Sequence, residues 1–262
     1  MSSSDESVAF AESVAGVVDR VAQAELTAAL DQLGWSTLAQ DRDLVACAGL
    51  AGVELGRRLA PLHQIDRLLG GSPMAGDLVR SLHRERMALV RAGGEVFRRP
   101  ALRAQRLPCT DGLDVHRVLK LGEAARVSAG AWQTATRAWT AASVGYLAGL
   151  GQGALELTVD YVRRRRAFGS TLAALAPVQQ RLAGVATAVR GVTLLAGSDP
   201  DGHALAYAGP AIAESCTACH QVTGAIGFTL EYPLHRFSQR ARAVATWNDA
   251  LLEWMLDPLH PE

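Results

Sequence analysis

The chain has 262 residues, 49% of them hydrophobic, with 26 basic side chains against 26 acidic ones. That balance leaves no broad basic field for nucleic acid, and the length suffices to bury a sizeable core in one large domain or two small ones. No apolar run reaches the ~20 residues of a membrane-spanning helix, and the amino terminus lacks signal-peptide character. The expectation is a cytoplasmic protein with no membrane or nucleic-acid partner.

Hydrophobic periodicity predicts helix nearly throughout. From Ser7 to Leu33, Val8, Ala11, Val14, Ala15, Val18, Leu26, Leu30 and Leu33 recur at steps of three or four, and Gly34 supplies a stop. A second helix is expected over about Asp41 to Leu59, ended by Pro61. Gly70-Gly71-Ser72-Pro73 reads as a loop. A third helix is then expected over about Met74 to Val90, with Leu78, Leu82 and Leu89 inward. Between Ala92 and Asp114, Gly93-Gly94, Pro100, Pro108 and Asp111-Gly112 interrupt any helix. Glu95-Val96-Phe97 has strand character, but the stretch is too short for an independent sheet domain.

Four further helices follow, about Trp132 to Arg166, Pro177 to Gly197, His203 to Thr223 and Glu231 to Met255. Their lengths and short connections argue an antiparallel four-helix bundle, with tryptophans such as Trp139 and Trp247 in its core. The predicted organisation is mainly α: an amino-terminal helical domain at 1–91, a short remnant or linker at 92–130, and the bundle at 131–262.

The cysteines are Cys47, Cys109, Cys216 and Cys219. Cys216-x-x-Cys219-His220 has the spacing of a haem-attachment motif. It lies in an alanine-rich helical segment that sets both cysteines on one face, so they are read as packing residues. No metal site is expected.

Two stretches carry chemistry. Tyr161 to Ala183 ends a long helix in Arg163-Arg164-Arg165-Arg166, breaks at Phe168-Gly169 and starts a new helix near Pro177. His220 to Arg236 closes one helix with Gln221 and Gly224 and opens the next after Glu231-Tyr232-Pro233. Arginines at a helix end beside a glycine-marked corner suit an anionic ligand such as a phosphate. The same residues also describe a solvated basic helix end.

With these residues on helices, the chain resembles the acyl-CoA dehydrogenase family. The resemblance rests on Leu33-Gly34-Trp35, Glu54-Leu55-Gly56-Arg57-Arg58-Leu59-Ala60-Pro61, Arg165-x-x-Phe168-Gly169, Arg181-Leu182-Ala183 and Gln221-x-x-Gly224-x-x-Gly227-x-x-x-Glu231-Tyr232-Pro233. It covers roughly residues 20 to 61 and 132 to 248. It implies a helical domain, a β-domain and a four-helix bundle. It also implies α,β-desaturation of an acyl-CoA thioester by FAD, with electrons passing on to an electron-transfer flavoprotein. Carried over, it makes Arg165, Phe168, Gln221 and Gly224 the candidate contacts to the pyrophosphate and adenosine end of an FAD shared with a partner subunit.

Departures from the family pattern matter as much. The β-domain is expected to be reduced or lost. The family's base, a glutamate late in the bundle, aligns with Asn248, followed by Asp249 and Ala250. The alternative base position on the long helix aligns with Trp139. An amide or an indole cannot accept the α-proton, so no catalytic residue is assigned. Ala176 and Ala225 replace a glutamine and a glycine common in the family. The resemblance then implies a heteromeric enzyme in which a full-length acyl-CoA dehydrogenase paralogue supplies the catalytic glutamate. The alternative is a non-enzymatic interaction or stabilising protein that binds no flavin. A third reading makes Asp249, His220 or His235 the base of a self-sufficient enzyme.

Overall fold

A computed structural model describes residues 3–82, 86–108, 112–167 and 169–256. Helix α1 runs Ser3–Arg20 and α2 Leu26–Gln32. The single helix expected from Ser7 to Leu33 is therefore interrupted over 21–25, where Glu25 N–H turns back to the Ala22 carbonyl at 2.9 Å. Gly34 terminates α2 in the left-handed region, at φ 86°, as its place in the pattern predicts. Helix α3 spans Val45–Arg57 and the short α4 His63–Asp66.

The helix expected over 74–90 is a correction. That stretch holds β1 (Ser72–Ala75), β2 (Leu78–Val79) and most of β3 (Met87–Ala92). They join β4 (Glu95–Arg106), β5 (His116–Leu121) and β6 (Ala125–Arg126) in one six-stranded sheet. Two-residue turns explain the error. Ala75 pairs with Leu78 across Gly76-Asp77, and Ala92 pairs with Glu95 across Gly93-Gly94. Gly76, Gly93 and Gly94 all have positive φ, as tight hairpins demand. Leu78, Leu82 and Leu89 happen to fall at helical steps, but Leu78 lies on β2, Leu89 on β3, and Leu82 follows β2 outside any strand. Because β3 pairs with both β1 and β4, five strands close into a small barrel around Val79, Ala101 and Val118. The sheet between the helical parts is thus present over 72–126, starting twenty residues earlier than the predicted remnant at 92, and it is not lost.

Four long helices follow: α5 (Ala129–Arg164), α6 (Ala176–Ala196), α7 (Gly202–Thr223) and α8 (Leu234–Leu256). Between α5 and α6, β7 (Arg166–Ala167) and β8 (Ser170–Thr171) form a small hairpin. Ser128 caps α5 and Asp201 caps α7 through their side chains. Helix α5 is the axis of the molecule, packed by α3, α6, α7 and α8. Its approach to α3 is backbone on backbone. A Cβ on Gly56 would stand 2.0 Å from the Tyr146 carbonyl oxygen, and one on Gly149 2.0 Å from that of Val53. One hydrophobic core therefore runs from Leu30 and Trp35 through α3 and α5 to Leu251, with Leu89 and Val96 of the sheet included.

Candidate functional site

The two ends of α5 differ in kind. At its carboxy-terminal end, Arg165 is the capping residue, in extended conformation, and its carbonyl accepts from Leu172 N–H at 2.8 Å. Its guanidinium is exposed and has no partner among the described residues. Arg164 pairs with Asp160, and Arg166 reaches only the Gly169 carbonyl at 3.5 Å. Phe168 lies outside the described residues. Gln221 is exposed at the end of α7, and its side-chain oxygen accepts from Arg181 of α6.

Arg165 and Gln221 thus reach the same end of the helical layer without touching each other. Gly224 adopts φ 68° and ψ −148°, and a Cβ there would meet nothing within 4 Å. Glycine is needed for the torsion, and the backbone face stays open for close approach. The corner is braced by the Tyr232 hydroxyl, which donates to the Leu157 carbonyl at 2.7 Å, and by its ring 5.8 Å from that of Tyr161.

His220, in the same corner, is buried and stacked on Phe228, with ring centroids 4.6 Å apart. Burial, helped by the charge of Arg242, pushes its imidazole below the ordinary histidine value. Cys216 and Cys219 lie in the core, and burial raises the Cys216 thiol to about 12. His235 Nδ1 lies 2.8 Å from the Tyr232 carbonyl oxygen, a helix-start contact.

The other end is closed. Asn248 is 1% exposed, and its Oδ1 accepts from Arg80 Nη1 at 2.7 Å. Arg80, fully buried, lies between Asn248 and Asp66: Nη2 donates to Asp66 Oδ1 at 2.7 Å and Nε to Oδ2 at 3.1 Å. The same carboxylate accepts from Trp139 Nε1 at 3.0 Å and from Ser81 Oγ at 2.6 Å. Arg80 Cζ sits 5.4 Å from the Trp139 ring centroid, a cation–π contact.

Asn248 and Trp139, the two positions that the sequence resemblance sets against the family's alternative bases, therefore meet at one buried ion pair. The donors of Arg80, Trp139 and Ser81 occupy the lone pairs of Asp66, so no basic oxygen is presented to a ligand. Asn248 Nδ2 is buried without a partner among the described residues. Asp249, the neighbouring carboxylate, points to solvent.

The comparisons agree with the frame. The family model for the acyl-CoA dehydrogenase C-terminal domain matches residues 131–198, which are α5 and α6. Acyl-CoA dehydrogenase FadE28 of Mycobacterium tuberculosis is 36% identical over 104 residues, 35% of this chain and 31% of that protein. The Tcur3481–Tcur3483 steroid ACAD superposes with a TM-score of 0.69 at 17% identity, covering 97% of this chain and 98% of that one. Residues 131–198 thus match the acyl-CoA dehydrogenase C-terminal domain, and the chain as a whole has the fold of those proteins. A further match, the ChsE4–ChsE5 complex from Mycobacterium tuberculosis, has a TM-score of 0.64 at 15% identity, over 98% of this chain and 95% of that one. At such identities the structural likeness shows the fold. The sequence match spans under a third of FadE28.

For the family's flavin, the two ends give opposite answers. The open corner has an unpaired arginine, a side-chain amide and an open glycine backbone, a donor set suited to phosphate oxygens. At the closed end Asn248, Arg80 and Asp66 are each at most 1% exposed and bonded to one another or to Trp139 and Ser81. Sequence reading missed Asp66 and Arg80, and it gave Arg181 no contact to Gln221. Two charges inside apolar runs, Asp66 after Ile65 and Arg80 after Leu78-Val79, were the available signal.

Proposed function

We propose that this chain is a subunit of a heteromeric, flavin-dependent acyl-CoA dehydrogenase. It contributes helices to the assembly and Arg165, Gln221 and Gly224 to the phosphate end of an FAD held mainly by a full-length paralogue. The paralogue supplies the catalytic glutamate. The observation that carries this reading is the buried Asp66–Arg80–Asn248 cluster at the base position, set against an unpaired arginine at the opposite end of α5. FAD, when bound, would supply hydride-acceptor chemistry to the acyl substrate. This chain's part is to hold phosphate oxygens through the Arg165 guanidinium and the Gly224 backbone, with Arg181 orienting the Gln221 amide so that its NH2 points outward.

The test is co-expression with a full-length acyl-CoA dehydrogenase paralogue. The complex is expected to co-purify and to carry flavin, and Arg165→Ala is expected to lower flavin retention without dissolving the complex. A chain that neither co-purifies nor alters flavin content would refute the proposal. A second reading, a non-enzymatic member that binds no flavin, is favoured by one contact, the engagement of Gln221 by Arg181. Under it, Arg165→Ala leaves both flavin content and assembly unchanged.

A further inference from the structure

The junction between the helical layer and the barrel holds a cavity that the flavin reading does not use. Its volume is about 170 Å³, and its lining includes Ser36, His63, Arg67, Gly70 and Ser72. These residues come from the turn after α2, from α4 and the turn that follows it, and from β1. A ligand seated there would touch both the helices and the sheet. The volume is well below the ~300–1,000 Å³ of a drug-sized or coenzyme pocket. At about 30 Å³ per water it suits one small ion and a few waters.

Arg98 of β4 closes one side. Its guanidinium packs over Gly70, where a Cβ would stand 2.2 Å from Arg98 Nη2. Gly70 is thus required twice, by that approach and by its φ of 73°. Arg98 Nε is shut off from solvent and has no hydrogen-bond partner among the described residues. A solvated surface arginine would keep that nitrogen in water. The carboxylates on the surrounding elements are taken. Asp31 accepts from Arg67 Nη2 at 2.7 and 2.6 Å, Asp66 is held by Arg80, and Glu95 pairs with Arg126. Arg67 is therefore neutralised in place, while Arg98 brings a positive charge that no described side chain of these elements answers. A partly buried cation without a counter-charge is costly.

We infer that this cavity is a binding site for one small oxyanion, a phosphate or a simple carboxylate. Arg98 supplies the balancing charge and paired donors, and Ser72, 3% exposed, adds a hydroxyl. Arg67, braced by Asp31 and by Gln64 Oε1 at 3.2 Å, gives a fixed polar wall. Because the contacts come from α4, β1 and β4, the bound anion pins the barrel to the helical layer and stabilises the fold by mass action. None of this depends on the heteromeric reading.

The experiment titrates the full chain, in a buffer free of phosphate and carboxylate, with sodium phosphate and separately with sodium acetate at constant ionic strength. Calorimetry is expected to show one saturable site, with a Kd on the order of 1 mM or tighter for at least one of the two anions. The same anion is expected to raise the melting temperature. Arg98→Met is expected to weaken binding at least about tenfold and to abolish the thermal shift. Arg98→Lys keeps the charge but loses the fork, and is expected to bind several-fold more weakly than wild type. Arg103, an exposed arginine of the same strand, serves as the control, and Arg103→Met is expected to bind as wild type. Circular dichroism checks folding, and Arg98→Lys carries the test if Arg98→Met does not fold. The tighter of the two anions tells a tetrahedral ligand from a planar one, and either supports the site. Absence of saturable binding by both overturns the inference, as does binding that the Arg98 variants leave intact. An equal loss in Arg103→Met would reduce the effect to general attraction by a basic barrel and overturn it too.

Discussion

The two ends of α5 both carry positions that the resemblance associates with a cofactor or substrate, and they are built in opposite ways. Trp139 and Arg164 are 25 residues apart, about 38 Å along a helix. Beside Trp139 one carboxylate and one guanidinium are buried and answered. Asp66 and Arg80 are at most 1% exposed, and their hydrogen bonds tie α4, β2, α5 and α8 together. At the Arg164 end the charges are exposed and Arg165 is unanswered. A buried ion pair adds little net stability over an apolar filling, yet losing one partner is expensive. The closed end is therefore a structural joint, and the open end is free to serve an anion or a neighbour at almost no cost to folding.

That contrast is broken most directly by Arg80→Met. It strands the Asp66 carboxylate and removes the donor to Asn248, so a loss of about 3–5 kcal/mol is expected in denaturant unfolding. Arg165→Ala is expected to change stability by under about 0.5 kcal/mol. Similar costs for the two would show that the ends do not differ as described. Next in size is Trp139→Phe, which keeps most of the buried ring and deletes one donor to Asp66. A loss of about 1–3 kcal/mol follows from the desolvated, under-satisfied carboxylate. A neutral outcome would mean that Arg80 and Ser81 alone satisfy it.

Much of the helical frame was legible because α5 to α8 are amphipathic over many turns, and the observed bounds lie within about three residues of those read from periodicity. The helix ends at Arg165 and at Gln221-Gly224 were legible with them. The barrel was not legible by the same method. Its strands are short, three leucines mimic a helical step, and the deciding signals were the two-residue turns Gly76-Asp77 and Gly93-Gly94. The partners inside the site were hidden for a different reason. Arg80 reaches Asn248 across 168 residues of sequence and Arg181 reaches Gln221 across 40, and no local pattern encodes a pairing so distant.

A smaller effect sharpens the open end through pH. His220 is held neutral by burial, with its folded-state value lowered, so the unfolded chain binds the proton first as pH falls. The stability that depends on a neutral His220 is complete above the ordinary histidine value near 6.5. It is lost as pH drops from there toward the lowered folded value. His220→Phe is expected to flatten that part of the stability–pH curve. An unchanged slope would show that the ring under Phe228 titrates freely.

The smallest expected effect belongs to the substitution that seems most restorative, Asn248→Glu. It places at residue 248 the glutamate that the resemblance implies for a base, but Arg80 Nη1 already lies 2.7 Å from the side-chain oxygen there. A carboxylate at that point pairs with the guanidinium, which favours its ionised form and takes its lone pairs away from any substrate. The added methylene costs some packing and the new pair offsets part of it, so stability is expected to stay within about 1 kcal/mol of wild type. The purified chain is expected to show no acyl-CoA-dependent dye reduction. Turnover by this variant alone would mean that the cluster opens to substrate, and the distinction between a sealed end and an open one would fail. Without such turnover, the buried Asp66–Arg80 pair, and not the identity of residue 248 alone, keeps this end closed, and changing a single residue cannot undo the joint they form.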